Sequence, residues 1–138
     1  MLRRVIIPLA AIAVLVACTN PFKVGQMSDA SVAQFHQKLD QAQFHDIYAS
    51  SAPEFQRDSP EKDITDLFNA IHTKLGNVVS TNRTNIFMSA TTSGNFVRTT
   101  YSTTFANGKG VETFNWRLVN EQLSLVGYHI ESRDLMVK

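Results

Sequence analysis

Cysteine is almost absent from this chain of 138 residues. Cys18 is the only one, so no disulfide can form within the chain. Charge is sparse and balanced, with 13 basic and 12 acidic side chains. Nucleic-acid-binding proteins need clustered Lys and Arg, so we expect no nucleic-acid partner. No apolar run reaches the roughly 20 residues of a transmembrane helix.

Motifs of the common catalytic and metal sites are also lacking. The sequence has no glycine-rich phosphate loop, no Gly-x-Ser-x-Gly elbow and no Cys-His nucleophile pair. Its 4 histidines do not have the spacing of a zinc site. His36 follows Phe35 at the edge of an apolar stripe and is interpreted as a boundary residue. We therefore expect no metal and no cofactor.

The first residues have the parts of an export signal. Arg3 and Arg4 precede an apolar run over 5–17, which ends at Cys18. This order is typical of a secretory signal peptide. The stretch LVAC, residues 15–18, resembles the lipobox of bacterial lipoprotein precursors. The resemblance implies that the chain is cut before Cys18 and that the thiol of Cys18 carries a diacyl lipid, with palmitate as a typical acyl group.

The residue after the cysteine bears on location. It is Thr19 and not Asp, which by analogy with lipoprotein sorting indicates the periplasmic face of the outer membrane. We therefore expect an exported protein, lipid-anchored in the bacterial cell envelope. The expected organisation is a signal peptide over 1–17, a lipidated Cys18 with its tether over 18–27, and one domain over 28–138.

Helical spacing covers residues 28–76. Ser28 is the predicted cap of a first helix, which breaks near residues 40–43. Ser59 and Pro60 predict the start of a second helix, and Gly76 predicts its end. Its apolar stripe consists of Ile64, Leu67, Phe68, Ile71 and Leu75.

Strand spacing covers residues 78–134. We predict strands over 78–92, 95–106, 111–120 and 123–132, and the strongest hairpin signal is the loop 107–110. Gly127 predicts a bend or bulge in the last strand. Helices followed by an antiparallel meander predict an α+β fold, with N-terminal helices packed on a curved four-stranded sheet.

Several stretches sharpen this prediction. The order of elements resembles the cystatin-like and NTF2-like class of α+β rolls. The stretches IYASSAPEFQ, LGNVVST, YSTTFANGKGVETFNWRL and LVGYHIESRDL resemble a family of small bacterial envelope proteins of unassigned function, many of them lipoproteins. The resemblance implies the fold and the location, and it supplies no catalytic residues.

Rolls of this class sometimes hold a pocket between sheet and helices. The candidate binding residues here are Tyr48, Glu112, Trp116 and Tyr128, with Asp46 as a further candidate base. Glu112, Phe114 and Trp116 are spaced two residues apart on one predicted strand and so share a face, which would let Glu112 point inward. Because charges at strand ends are usually exposed, we expect it to be solvated.

These observations predict a non-catalytic, membrane-anchored domain that binds an envelope protein or a small ligand. The exposed Thr, Asn and Arg face of the second and third strands is the expected protein-facing surface. One alternative is a pocket enzyme of isomerase or hydrolase type, with Glu112 or Asp46 as base. The other is a structural homodimer that associates through the sheet.

Overall fold

The computed structural model describes residues 20–137, so the predicted signal peptide and Cys18 lie outside the described residues. Within that range four helices precede four strands, and a short helix follows. The elements are α1 (Pro21–Asp40), α2 (Phe44–Ala49), α3 (Pro53–Asp58), α4 (Glu61–Leu75), β1 (Val78–Thr91), β2 (Gly94–Phe105), β3 (Gly108–Val119), β4 (Gln122–Glu131) and α5 (Arg133–Val137). The predicted α+β class is confirmed: N-terminal helices pack on a four-stranded antiparallel open sheet. Helix α5 was not predicted from the sequence.

The strands are neighbours in chain order, from β1 to β4. The turn between β2 and β3 is tighter than the predicted loop 107–110. Phe105 pairs with Gly108, so only Ala106 and Asn107 form the turn and Gly110 lies inside β3. The turn between β3 and β4 consists of Asn120 and Glu121, with φ of 50° and 60°. Two consecutive residues with positive φ are the geometry that suits a tight hairpin between twisted strands.

The register of the last hairpin changes beside Gly127. Asn115 pairs with Gly127, whereas Trp116 pairs with Leu125, so Val126 has no partner across the pair. This extra residue is a β-bulge, as the glycine predicted. The bulge keeps Leu125 and Tyr128 on the same face of β4, although they are three positions apart.

Helix α1 begins at Pro21, and the predicted start at Ser28 is wrong. Asn20 caps the helix, because its side-chain oxygen accepts a hydrogen bond from the backbone N–H of Phe22 at 2.9 Å. Pro21 needs no hydrogen-bond acceptor at the first helical position. Residues 21–27 are therefore helical, and the polar side chain of Ser28 is buried inside the domain instead of ending a helix.

Helix α4 confirms the apolar stripe but not its predicted cap. Phe68, Ile71 and Leu75 are fully buried, and Gly76 ends the helix with a φ of 75°. Pro60 occupies the N-cap position, and Ser59 is the residue after α3. The Ser59 carbonyl accepts a hydrogen bond from the hydroxyl of Tyr48 at 2.9 Å.

Aromatic rings fill the space between the helices and the inner face of the sheet. The ring centroid of Phe35 on α1 lies 5.0 Å from that of Phe114, 5.0 Å from that of Tyr128 and 5.4 Å from that of Phe68. Trp116 stacks on Phe114 at 5.5 Å with an interplanar angle of 7°. Aromatic pairs at these distances add to the free energy gained by burying their surfaces.

Candidate functional site

A buried carboxylate lies at the centre of the inner face of the sheet. Glu112 on β3 is 0% exposed. Its Oε1 accepts a hydrogen bond from the hydroxyl of Tyr128 at 2.7 Å. Its Oε2 accepts one from Thr103 at 2.6 Å and lies 2.7 Å from Nε2 of His36. The prediction that Glu112 is solvated is therefore wrong, and so is the interpretation of His36 as a boundary residue, since His36 is buried with a side-chain exposure of 6%.

Glu112 is buried because side chains along β3 alternate between the two faces of the sheet. Glu112 alternates in step with Phe114 and Trp116, both of which face the core. Burial would make an isolated carboxylate unstable, but three neighbouring groups compensate it here. They come from α1, β2 and β4, so the carboxylate joins three elements to β3.

Tyr128 stays a hydrogen-bond donor in this cluster. Burial, together with the nearby charge of Glu112, raises the pKa of the Tyr128 phenol well above its usual 10. The phenol is therefore neutral at physiological pH and directs its proton at the carboxylate. The geometry fits a structural clamp, because every oxygen of the carboxylate is occupied by groups of the domain itself.

A second buried network joins α1 to the sheet. The hydroxyl of Ser28 lies 2.8 Å from Thr99 Oγ1 and 2.8 Å from the hydroxyl of Tyr101. Trp116 donates its indole N–H to the same Thr99 oxygen at 3.0 Å. Tyr101 donates to Asp29 at 2.7 Å, and burial raises the pKa of Tyr101 to about 12. Trp116 is thus fixed by both stacking and a hydrogen bond.

Two of the predicted site residues lie away from the clamp. The hydroxyl of Tyr48 lies 2.9 Å from the carbonyl oxygens of Gln56 and Ser59, so it holds α3 in place. Asp46 is exposed on α2. In the range 20–137, neither Tyr48 nor Asp46 forms a hydrogen bond or ion pair with Glu112.

A small cleft opens between α1, the segment that joins α2 to α3, and the last two strands. Its volume is about 150 Å³. Its apolar lining consists of Phe35, Ile47, Trp116, Leu123 and Leu125. Its polar lining consists of Ser31, Gln34, Lys38, Ser50 and Ser51. We call this site the cleft.

Trp116 is the one predicted binding residue that lines the cleft. The other lining residues were not predicted as a site. Ser31, Gln34 and Lys38 lie along one side of α1, and a helical wheel of α1 would have grouped them. Ser50 and Ser51 follow α2. They lie near α1 only through tertiary packing, which no local sequence pattern predicts. Lys38 is half-buried and forms no ion pair with any residue in the described range 20–137.

The outer face of the sheet is polar with a few apolar side chains. Arg98 donates to Asn115 at 2.9 Å, and the guanidinium of Arg117 lies 4.7 Å from the ring centroid of Phe96. Phe87 on the edge strand β1 is 60% exposed. An open groove of about 580 Å³ also runs between α1 and β1, and His36 is among its lining residues.

Two further observations apply to residues 20–137. No cluster of three or more His, Cys, Asp or Glu side chains in this range is arranged to hold a metal ion. None of its helices is both long enough and apolar enough to cross a membrane.

Comparison with known proteins places the chain in a family. The model of a family described as a protein of unknown function, DUF4019, matches residues 31–128. The chain belongs to the DUF4019 family. The matched segment begins inside α1 and ends at Tyr128, so it includes the cleft, the Glu112 cluster and most of the sheet.

Comparisons with curated proteins and with solved structures give no information on function beyond the family. No curated protein matches the chain. Among solved structures, the 1.8 Å structure of Aln2 from a Streptomyces species is similar with a TM-score of 0.49 and 15% identity, over 84% of this chain and 92% of that chain. This likeness is too low to bear on the function of the DUF4019 domain.

Proposed function

We propose that this protein is a lipid-anchored, non-catalytic binding domain of the bacterial envelope, and that the cleft binds a small group with an apolar body and an anionic end. The anchor is supported by the sequence alone, since Cys18 ends an export signal with a lipobox-like LVAC stretch. The envelope location, the outer-membrane face and the cystatin-like or NTF2-like assignment of the roll belong to this proposal. The single observation that supports the binding role is the cleft, with Trp116 and Lys38 in one lining.

The size of the cleft limits what can bind. Pockets for drug-sized ligands and cofactors have volumes of roughly 300–1,000 Å³. The cleft, at about 150 Å³, is smaller. It fits one side chain, a short acyl chain or the end of a longer molecule. The ligand is therefore a small molecule or the terminal group of a larger partner.

The chemistry of the lining indicates the polarity of that group. Trp116, Phe35 and Leu125 present only a small apolar surface, since each is at most 6% exposed, and this favours a short apolar body. Lys38 supplies a cation that has no ion-pair partner in the range 20–137, next to the hydroxyl of Ser31; the Ser50 hydroxyl already donates to the Asp46 carbonyl at 2.7 Å. A carboxylate would be held by the Lys38 ammonium group and the Ser31 hydroxyl together. The combination favours a short apolar chain that ends in a carboxylate.

The enzyme alternative has less support. Glu112 is enclosed and its oxygens already accept hydrogen bonds from within the domain. A general base must reach the proton that it removes, directly or through one water. Asp46 is exposed on α2, and although its backbone carbonyl accepts hydrogen bonds from Ser50, its carboxylate forms no hydrogen bond with a cleft residue in the range 20–137. Neither carboxylate is presented to a bound group in the cleft.

Trp116 provides the test, because it is the only tryptophan and it lines the cleft. The mature chain with Cys18→Ser is titrated with hexanoate, and with hexanamide as the uncharged analogue, while tryptophan emission is recorded. For ligands of this size we expect a saturable change with a Kd on the order of 1 mM for hexanoate. Hexanamide is expected to bind more weakly.

Two lysine variants separate a specific carboxylate contact from general attraction. Lys38→Gln is expected to weaken hexanoate binding about fivefold, because an ion pair of this kind contributes about 1 kcal/mol, and to leave hexanamide unchanged. Lys62→Gln removes an equal charge from the exposed side of α4 and is expected to change neither. Equal binding of the two ligands to all three proteins would contradict the proposed role of Lys38. No saturable change with either ligand would contradict the binding role of the cleft.

A further inference from the structure

The start of α1 leaves little chain between the predicted lipid and the folded domain. Asn20 caps the helix, and its backbone carbonyl accepts the N–H of Val24 at 3.0 Å. Only Thr19 separates Cys18 from this cap. Two residues of extended chain span at most about 7 Å. Any lipid on Cys18 therefore holds the first turn of α1 close to the surface of the bilayer.

One ion pair and the strand register show which elements lie beside that first turn. Lys23 on α1 forms an ion pair of 3.2 Å with Glu121, which lies in the turn between β3 and β4. The turn between β1 and β2 lies at the same end of the sheet, because Asn95 pairs with Leu118. We call the first turn of α1 and these two turns the anchor end. The opposite end of the sheet carries the turn at Ala106 and Asn107.

The anchor end has a surface that suits a lipid interface. Phe22 is 70% exposed and Val119 is 51% exposed. The charges of Lys23 and Glu121 neutralise each other, and the turn between β1 and β2 has the uncharged sequence TTSG. Exposed aromatic and aliphatic side chains without net charge enter the interfacial region of a bilayer. Within residues 20–137, neither Phe22 nor Val119 is buried by another part of the domain.

From the short connection and this surface we infer that the anchor end rests on the membrane, with Phe22 and Val119 in the lipid interface. The domain then has one fixed orientation instead of swinging on a tether. Helix α1 points away from the bilayer, and its 20 residues span about 30 Å. Ser31 and Lys38 on the same helix are carried above the lipid surface, whereas Leu123, on the other side of the cleft, lies two residues from Glu121 at the anchor end. This inference rests on the lipidation of Cys18 in the proposed function.

The test uses the single cysteine of the chain. In the lipidated protein the thiol of Cys18 is consumed, so one introduced cysteine is the only free thiol. Val119→Cys at the anchor end and Ala106→Cys at the opposite end are each labelled with an environment-sensitive fluorophore. The lipidated proteins are placed in phosphatidylcholine vesicles with or without a lipid-borne quencher. We expect the label at position 119 to shift to the blue and to be quenched several-fold more than the label at position 106.

A second substitution tests the aromatic contact itself. Phe22→Ser is expected to reduce quenching at position 119, because it removes the larger of the two side chains in the interface. Met136→Ser is the matched control, since Met136 is 78% exposed on α5 and α5 lies beside Lys109 near the opposite end. It is expected to leave quenching at position 119 unchanged.

The outcomes separate this inference from the lipid anchor. The intact mass of the membrane-extracted protein and its flotation with vesicles report lipidation, and Cys18→Ser is the negative control for both. Acylated protein with equal quenching at the two positions would overturn the orientation alone. Protein without acyl mass would overturn the lipid anchor and this inference with it. A variant Phe22→Ser with unchanged quenching would show that Phe22 does not contact lipid.

Discussion

Replacing Glu112 with Leu tests whether the buried cluster holds the fold together. The leucine has a similar size but accepts no hydrogen bonds. His36 and Tyr128 would each lose the carboxylate as a partner, whereas Thr103 keeps a contact with Thr81 at 2.7 Å. A buried polar group without a partner costs about 1–3 kcal/mol, so two such groups cost about 2–6 kcal/mol. Burying the leucine offsets about 1–2 kcal/mol of this.

We therefore expect Glu112→Leu to lower the free energy of unfolding by about 3 kcal/mol, which for a domain of this size lowers Tm by about 12 °C. Glu112→Gln keeps one acceptor and is expected to lose about 1–2 kcal/mol. Urea unfolding is followed by the emission of Trp116, which is 4% exposed and is the only tryptophan. The slope of the unfolding free energy against urea concentration should equal that of the unsubstituted protein, because both proteins expose nearly the same surface on unfolding.

Glu131→Leu on β4 is the matched control for the loss of a carboxylate. Glu131 has a side-chain exposure of 76%, and its substitution is expected to change stability by less than about 0.5 kcal/mol. If Glu112→Leu were as stable as the unsubstituted protein, the desolvation of the carboxylate would cancel the gain from its partners. The cluster would then not be a stabilising clamp, and the reasoning would be wrong.

Three further predictions concern alkaline stability, anchoring and association. Because the folded-state pKa values of Tyr101 and Tyr128 are raised above 10, their contribution to stability is complete below pH 10 and is lost as pH rises toward the folded values, about 12 for Tyr101. The free energy of unfolding, measured by urea denaturation from pH 9 to 11, should fall above pH 10 by about 1.4 kcal/mol per pH unit for each fully coupled tyrosine, and Tyr128→Phe should reduce the fall; a flat profile above pH 10 would contradict the shifts. Membrane fractions washed at alkaline pH should retain the original protein and lose Cys18→Ser, and retention of that variant would exclude the lipid anchor. Sedimentation at increasing concentration tests the homodimer alternative: if the outer face associates, Phe87→Glu abolishes it, and dimers that persist in this variant would exclude Phe87 as a contact.

Much of the fold was predictable because its signals are local. The helical stripe of α4 and the alternation of β3 each arise within one element, so the predicted bounds of α4 and of the strands differ from the observed ones by only a few residues. Gly127 marked the bulge because a residue without a side chain suits an irregular register. The start of α1 was missed because residues 18–27 were assigned to the tether, although Asn20 before Pro21 is itself a signal for the start of a helix.

The candidate site was less predictable, since it depends on contacts between distant segments. The parity of β3 pointed Glu112 inward, but the general exposure of charges outweighed it in the prediction. The missing information was that His36 and Tyr128 would meet the carboxylate from two other elements. The cleft depends in the same way on Lys38 and Ser51 approaching Trp116. These contacts depend on how α1 packs on the sheet, so neither segment carries a sequence pattern that predicts them.

The most direct test of the central claim is to locate bound hexanoate by NMR. Nuclear Overhauser effects between the methylene protons of hexanoate and the labelled mature chain with Cys18→Ser would be measured. The account predicts contacts to the indole of Trp116 and to the side chains of Ile47 and Leu125, with Lys38 shifted by the carboxylate. Contacts confined to the groove between α1 and β1 or to the outer face of the sheet would contradict the cleft as the binding site.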